Sequence, residues 1–281
     1  MNLCRGCGDL NTNIFDINNN EKKVYSQNGE DEILEYIFSK VGTTNKFSVE
    51  FGVGNGFECN TIYLLEKKGW KGLMMDYGAD QEFNWNKIVK KAWFDRNLGI
   101  KNNIKRYVNF SKKIVNRKKR LMNFKLDIKS EKVTAENIEN LFRKYNVPEI
   151  FDLLSIDIDY NDYWIWNAIE NYEPRVVVIE FNSSIPPSES RVVPYNPDAR
   201  WDGTNYFGAS LLALKKLGDK KGYKLLGCDN NGVNAFFCKN YLVSKFDVKN
   251  INELYRSPQY GEKRDGYYIG HPVSKRKMIE I

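Results

Sequence analysis

A glycine-rich turn near residue 50 is the first stretch whose residue types suggest ligand chemistry. Residues 47–63 read FSVEFGVGNGFECNTIY, an apolar strand pattern followed by a turn and a helix pattern. Gly52, Gly54 and Gly56 alternate in the turn, and glycine lets a backbone bend sharply and approach a ligand because it has no Cβ atom. The turn favours a nucleotide-like cofactor, and an ordinary strand-to-helix turn is the plainer alternative.

Acidic residues around the turn indicate which nucleotide-like cofactor fits. Glu50 precedes the glycines, where a carboxylate would repel a pyrophosphate but suits the amino group and ribose hydroxyls of S-adenosylmethionine. Asp76 ends a second apolar strand twenty residues after Gly56, close to the spacing of the ribose-binding acid in Rossmann units. We predict that S-adenosylmethionine contacts Glu50, Gly52, Gly54, Gly56 and Asp76. A turn residue that caps the next helix is the alternative for Asp76.

Hard metal ligands follow two later strand patterns. Asp157 and Asp159 come after the apolar run 151–156, and Glu180 and Asn182 end the pattern RVVVIEFN. Ligands of open α/β sheets bind beyond the carboxyl ends of the strands, and these oxygens suit magnesium, calcium or manganese. We predict a divalent cation at Asp157, Asp159, Glu180 and Asn182, with Asp157 and Asp159 also as catalytic candidates. Both aspartates face the site only if the strand ends in a bend, and a turn residue is the alternative for Asp159.

His271, the single histidine, is a further catalytic candidate. Gly270 and Pro272 flank it, and its unperturbed pKa suits proton removal near neutrality. A surface or packing role is the alternative. We expect the C-terminal segment to fold back over the sheet edge as a lid, together with the long loop 183–208. That loop exceeds ordinary loop lengths, and its planar and hydrogen-bonding groups suit a sugar or other polyol.

Strand and helix patterns alternate along the chain, which predicts an α/β fold with a mostly parallel central sheet and helices on both faces. Helices are expected over 58–69 and from Thr134 to near Pro148, and a third strand is expected to end at Asp127. The segments GYKLLGCD and NAFFCKN predict a C-terminal antiparallel hairpin. Asp127 is a weaker candidate for contact near the adenine. Gln27, before the first helix, is a candidate cofactor contact, with helix capping as the alternative.

Several motifs coincide in order along residues 24–240: YSQNGEDEIL, VEFGVGNGFECNT, DLLSIDIDYNDYWIW, VVVIEFN, WDGTNYFGASL and NAFFCKN. Together they resemble FkbM-like S-adenosylmethionine-dependent methyltransferases. This resemblance implies a Rossmann-like methyltransferase fold and O-methylation of a sugar or natural product. The chain has IDIDYND where that group typically shows IDVEG. Asp157 with Glu180 and Asn182 also resembles the magnesium ligands of catechol-type O-methyltransferases, with Phe181 splitting the pair.

Length and composition indicate the domain organisation and the compartment of the protein. The chain has 281 residues, a net charge of +7 and 42% apolar residues, enough for one large domain with extensions. We assign 1–22 to an irregular lead-in, 23–240 to the catalytic domain and 241–281 to a C-terminal extension. No apolar run is long enough to span a bilayer, no secretory segment is visible, and the scattered cysteines form no disulfide framework. We therefore expect a soluble, cytoplasmic protein.

The charge distribution and the cysteines bear on other possible functions. The basic stretch 112–125 is expected to be a solvated surface, since no base-stacking aromatic residues are interleaved with its lysines and arginines. The alternatives are a nucleic-acid-directed methyltransferase and a catalytically silent interaction module. Cys4 and Cys7 supply only half of a zinc site. The expected partner is a small-molecule or glycan acceptor.

Overall fold

A computed structural model of the protein describes residues 16–18, 26, 29–54, 59–77, 128–244 and 246–281. The predicted cofactor contacts Gln27, Gly56 and Asp127 lie outside the described residues. The basic stretch 112–125, Cys4 and Cys7, and most of the lead-in 1–22 also lie outside them.

The described strands and helices follow the predicted alternation. The strands are β1 (Phe47–Phe51), β2 (Lys71–Asp76), β3 (Ile128–Ser130), β4 (Ile150–Ile156), β5 (Glu173–Glu180), β6 (Arg191–Val192), β7 (Tyr223–Cys228), β8 (Asn234–Lys239), β9 (Glu262–Arg264), β10 (Tyr267–Gly270) and β11 (Ile279–Glu280). The helices are α1 (Glu30–Val41), α2 (Ile62–Lys67), α3 (Ile138–Lys144), α4 (Asp162–Ala168), α5 (Leu211–Lys220), α6 (Asn240–Val243) and α7 (Ile251–Leu254).

Seven of these strands form one sheet in the order β3-β2-β1-β4-β5-β8-β7. β1 lies parallel to β2 and β4, β2 to β3, and β4 to β5. β8 runs antiparallel to β5 and to β7, with which it forms the C-terminal hairpin. The predicted α/β fold with a mostly parallel sheet and a C-terminal antiparallel hairpin is confirmed.

Apolar layers cover both faces of this sheet. Because successive strand residues point to opposite faces, Val177 and Ile179 of β5 join one layer and Val176 and Val178 join the other. The first layer includes residues of α3, α4 and α5, and the second includes residues of α1 and α2. Near-continuous apolar strands are what a parallel sheet buried on both faces requires.

Helix and strand limits differ from the predicted ones in three places. α2 begins at Ile62 instead of 58 and ends at Lys67, because the preceding residues bind the carboxylate of Glu50. α3 begins at Ile138 instead of Thr134, since the side chain of Asn137 accepts the Thr134 N–H and holds a turn there. The described part of the third strand follows Asp127, so the predicted end at Asp127 is wrong.

The carboxyl ends of β1, β2, β4 and β5 lie side by side at one edge of the sheet. Phe51 at the end of β1 pairs with Met75 in β2 and with Ile156 in β4. Ile156 in turn pairs with Ile179 in β5. The residues that follow these strands therefore meet at one place, which we call the carboxyl edge.

The opposite, amino edge holds a buried ion pair. Asp152 of β4 and Arg175 of β5 are joined at 2.6 Å, and both side chains are almost completely buried. The Asp152 carboxylate also accepts main-chain N–H groups of Thr44, Asn45 and Lys46. Burial raises the pKa of Asp152, but these bonds outweigh it and the net pKa is lowered. The negative charge of Asp152 is therefore balanced by Arg175 and by these hydrogen bonds.

The C-terminal extension wraps onto the long loop 183–208. That loop contains the short strand β6, which the sequence did not predict, and β6 pairs antiparallel with β11 at the end of the extension. β9 and β10, which lie between β6 and β11 in the chain, form a separate two-stranded hairpin. Within the described part of the chain, no helix is both long and apolar enough to cross a membrane.

Candidate functional site

The glycine turn after β1 packs directly against the end of β4. Gly52 has a φ of +72°, and a Cβ atom there would lie 1.4 Å from the main-chain oxygen of Asp157, so only glycine fits. Gly54 has a φ of +49°, and no atom of the described residues lies within 4 Å of a Cβ built on it. The turn is therefore tight on one side and open on the other, as a close backbone approach to a ligand requires.

Asp76 and the glycine turn are brought together as the sequence predicts. The main-chain N–H of Gly54 donates to Oδ2 of Asp76 at 2.8 Å. Asp76 is the last residue of β2, and its side chain is partly exposed at the carboxyl edge. This places a carboxylate beside the open side of the turn.

Glu50 has a structural role that the sequence did not reveal. It is only 4% exposed, and its carboxylate accepts the N–H groups of Asn60 at 2.7 Å and Thr61 at 3.1 Å, together with the Thr61 hydroxyl. Burial raises its pKa, and these bonds oppose the rise. Glu50 therefore anchors the start of α2 to the sheet, and its contact with a cofactor stays a prediction.

Three carboxylates converge beyond β4 and β5. One oxygen each from Asp157, Asp159 and Glu180 lie within 4.8 Å of one another. Asp159 has a left-handed φ of +65°, which is the bend needed for both aspartates to face the site. Oε2 of Glu180 is buried and has no hydrogen-bond partner within the described part of the chain. We call these three residues the acidic cluster.

Among the described residues, no lysine or arginine forms an ion pair with the acidic cluster, whereas Asp152 at the amino edge is paired with Arg175. Burial raises the pKa values of Asp157 and Glu180 well above their usual range, and repulsion from neighbouring carboxylates adds to the effect. Burial also raises the pKa of Asp159, which His271 partly offsets. Grouped carboxylate oxygens without a cation are costly, and a divalent cation is the ligand that relieves the cost. The donor set fits a hard cation.

Asp162, the first residue of α4, was not a predicted site residue but belongs to the same environment. It is completely buried, and Oδ1 accepts the main-chain N–H of Ile158 at 2.8 Å. Its other oxygen has no hydrogen-bond partner among the residues described. Burial raises its pKa to about 7, and its charge raises the pKa of Asp157. The repeated aspartates in DIDYND are the signal that could have identified it.

The described hydrogen bonds of the Asn182 side chain are with the long loop and not with the acidic cluster. Its Nδ2 donates to the main-chain oxygens of Asn205 at 2.8 Å and Phe207 at 3.0 Å. Its Oδ1 accepts the N–H of Ser184 at 3.2 Å. Both amide protons are thus used within the chain, and a metal-binding role for Asn182 stays a prediction.

His271 lies where the C-terminal extension meets the long loop. Its ring centroid is 4.5 Å from that of Trp201, 5.1 Å from that of Tyr260 and 5.8 Å from that of Phe207. Burial lowers its pKa, and the nearby charge of Asp159 partly opposes this. The fold therefore brings the histidine, the loop and the acidic cluster together, and it keeps the imidazole neutral near pH 7.

A hydrogen-bonded pair, Asn234 and Glu30, lies next to Glu180. Asn234 of β8 pairs with Glu180 in register, and its Nδ2 donates to Oε1 of Glu30 in α1 at 2.8 Å. The charge of Glu30 raises the pKa values of Asp157 and Glu50. The motif YSQNGEDEIL thus reaches the carboxyl edge through Glu30, a residue that the sequence suggested only as part of an acidic first turn.

Comparison with known proteins adds no family assignment. No protein-family model matches the chain, and no curated protein matches it.

Proposed function

We propose that the chain is an S-adenosylmethionine-dependent O-methyltransferase that acts on a hydroxyl of a sugar or glycan precursor with the help of a divalent cation. The observation that carries the proposal is the meeting of two features at one carboxyl edge. Gly52 of the glycine turn packs on the main chain of Asp157, so a donor at the turn and an acceptor at the acidic cluster would be neighbours. The sheet order is compatible with a Rossmann-like methyltransferase fold, in agreement with the resemblance of the motifs.

The cofactor is assigned to the turn after β1 and the end of β2. S-adenosylmethionine, when bound, supplies a methyl group on a positively charged sulfur. Gly54 leaves open space at the turn, and Asp76 beside it offers acceptor oxygens that suit two ribose hydroxyls. An acid at this position also accepts the ribose in dinucleotide sites, so the preference against a pyrophosphate is assigned to Glu50, which precedes the glycines.

The cation is assigned to Asp157, Asp159 and Glu180. When bound, a magnesium or similar ion supplies positive charge that lowers the pKa of an acceptor hydroxyl. The unpartnered buried oxygen of Glu180 supports this assignment, because buried polar atoms in native proteins are nearly always satisfied. Asp162 is a positioning residue: by accepting the Ile158 N–H it fixes the bend that carries Asp157 and Asp159.

His271 is assigned the role of general base. Methyl transfer forms a carbon–oxygen bond, breaks a carbon–sulfur bond and releases the hydroxyl proton, which His271 accepts. A lowered pKa keeps the imidazole unprotonated and ready for this step near neutrality. Contacts of the ring with Trp201 and Tyr260 restrict its orientation, which favours a productive geometry.

The compartment and acceptor are inferred from the rest of the site. The described cysteines Cys59, Cys228 and Cys238 are buried free thiols, which supports a reducing compartment such as the cytoplasm. The long loop contributes Trp201 and polar groups next to His271, and this mixture is typical of sugar-binding surfaces. We therefore propose a carbohydrate hydroxyl as the acceptor.

Mass spectrometry of candidate acceptors tests the proposal. Purified protein, S-adenosylmethionine and Mg²⁺ are incubated with a panel of nucleotide sugars, monosaccharides and oligosaccharides. We expect one methyl group to be added to a hydroxyl of at least one saccharide, with S-adenosylhomocysteine formed in equal amount. S-adenosylhomocysteine formation that depends on added RNA or DNA would instead support a nucleic-acid acceptor.

A further inference from the structure

A cavity lies between the long loop 183–208 and residues 273–280 of the C-terminal extension. Its volume is about 550 Å³, within the range of small-molecule sites, roughly 300–1,000 Å³. We call it the C-terminal pocket. Its lining includes none of the acidic cluster and does not include His271, so it is a separate site.

The C-terminal pocket adjoins the site of the proposed reaction. Val273 in its wall is two residues from His271, and Ser184 in its wall is two residues from Asn182. Two residues span at most about 7 Å of chain. A ligand in the pocket would therefore lie close to His271, the proposed base.

The walls of the pocket are held in place by hydrogen bonds between the loop and the extension. The N–H of Asn205 donates to the main-chain oxygen of Pro272 at 2.9 Å, and Oδ1 of Asn205 accepts the N–H of Ser274 at 2.8 Å. The pairing of β6 with β11 closes the other side. A cavity fixed in this way is preformed, as ligand sites usually are.

The arginines of the wall are paired with carboxylates, which disfavours an anionic ligand. Arg191 forms an ion pair with Glu189 at 2.7 Å and lies opposite Glu280 in the β6–β11 pair. Arg276 forms an ion pair with Asp202, which lies outside the lining. The third cation of the wall, Lys277, is exposed to solvent. A phosphate at either arginine would have to displace an existing carboxylate partner.

The remaining groups suit a neutral sugar. The Ser184 hydroxyl is buried and lacks a hydrogen-bond partner among the described residues. Ile185, Pro186, Val273 and Met278 supply apolar wall. Arg276 covers the ring of Tyr206 at 3.9 Å, so that ring is not open to a nucleobase. Directional polar groups beside aliphatic surface match the hydroxyl and C–H faces of a sugar ring.

We propose that the C-terminal pocket binds a neutral sugar unit next to the one that is methylated, so that the acceptor is an oligosaccharide instead of a single sugar. The identity of the methylated unit rests on the proposed function, but occupancy of the pocket does not. Binding alone can therefore be measured without S-adenosylmethionine.

Saturation-transfer NMR and titration test the pocket with defined probes. The wild-type chain is titrated with glucose, galactose, mannose and N-acetylglucosamine, and with cellobiose, lactose, mannobiose and chitobiose. We expect at least one disaccharide to bind at least about tenfold more tightly than its own monosaccharides, equal to about 1.4 kcal/mol. Val273→Trp, which fills the pocket at an exposed position, should abolish that gain. Lys275→Trp adds the same bulk to an exposed residue outside the lining and should preserve it.

Three outcomes would overturn the proposal: no binding of any of the four disaccharides, equal affinity for disaccharide and monosaccharide, or unchanged disaccharide affinity in Val273→Trp. Disaccharide binding without any methyl transfer would leave the pocket supported while the proposed function fails. Methylation of a monosaccharide and its disaccharide with equal kcat/KM would support the proposed function and reject the pocket.

Discussion

In the acidic cluster, three carboxylates lie so close together that they lower the stability of the protein when no cation is bound. Glu180 carries a buried oxygen without a partner among the described residues, and burial together with Asp157 raises its pKa well above normal. An ion pair at the amino edge shows the alternative, because Asp152 there is fully compensated by Arg175. A site that keeps uncompensated acids is arranged for a ligand and not for stability.

Replacing Glu180 by glutamine should raise the stability of the protein and weaken its binding of a cation. The free energy of unfolding of the metal-free protein should rise by about 1 kcal/mol at pH 7, because glutamine has no acidic group whose ionisation the folded state disfavours. Mg²⁺ affinity, measured by calorimetry, should fall at least about tenfold, because a hard ligand is lost. The exposed Glu149, at the amino edge, provides the control Glu149→Gln, which should change neither quantity. Unchanged Mg²⁺ binding in the Glu180 variant would remove Glu180 from the cation site.

His271→Ala should lower the methyl-transfer rate roughly a hundredfold, the usual range for loss of a general base, and leave S-adenosylmethionine affinity nearly intact. Burial lowers the His271 pKa below 6.5, so the wild-type rate should be level above that pH and fall as the imidazole is protonated below it. The measurement is a pH profile of kcat for wild type and variant. Wild-type turnover in the variant would return the role of base to Asp157 or Asp159.

At the residue scale, the sequence predicted that three carboxylates meet but not which residues support them. Asp157, Asp159 and Glu180 could be placed together because they follow strands that parallel pairing brings to one edge. Asp162 and Glu30 could not, because their roles depend on burial and on contacts between distant segments. The sequence did not reveal that the carboxamide of Asn182 also holds the long loop, and its role as a metal ligand stays a prediction.

The glycine turn is the element whose two positions should respond differently to the same change. Gly52→Ala should lower the free energy of unfolding by about 2 to 4 kcal/mol, because the added Cβ collides with the Asp157 main chain and the φ is left-handed. Gly54→Ala should cost only about 1 to 2 kcal/mol, since its Cβ meets open space. Its S-adenosylmethionine affinity should fall instead, because the methyl group enters the ligand space. Equal unfolding energies in denaturant titrations, or unaltered affinity in Gly54→Ala, would contradict this assignment of the turn.

Strands were more predictable than helix starts or the loop. Buried parallel strands are continuous apolar runs, and they appear in the sequence as such. The start of α2 was missed because main-chain groups of Asn60 and Thr61 bind Glu50 instead of beginning the helix. The β6–β11 pair was missed because two-residue strands from distant segments carry no periodic signal.

At the scale of the whole molecule, the acidic cluster should make stability depend on pH. Asp162 has a pKa of about 7 when folded, against 3.8 as its ordinary value. Between these values the folded state binds more protons than the unfolded state, so the free energy of unfolding falls as pH rises. Thermal melts of the metal-free protein from pH 5 to about 7.5 should therefore show a declining Tm, and Mg²⁺ should restore it at the upper end. A Tm that is flat with pH and unaffected by Mg²⁺ would contradict an uncompensated cluster.

Binding of S-adenosylmethionine at the glycine turn is the central claim, and calorimetric titration of wild type and Asp76→Ala tests it most directly. We expect wild type to bind and Asp76→Ala to bind roughly 30- to 150-fold more weakly, because about 2 to 3 kcal/mol of charge-assisted hydrogen bonding to the ribose is lost. The exposed Asp247 supplies the control Asp247→Ala, which should bind as wild type does. Absence of binding by the wild type, or equal affinity in wild type and Asp76→Ala, would contradict the account.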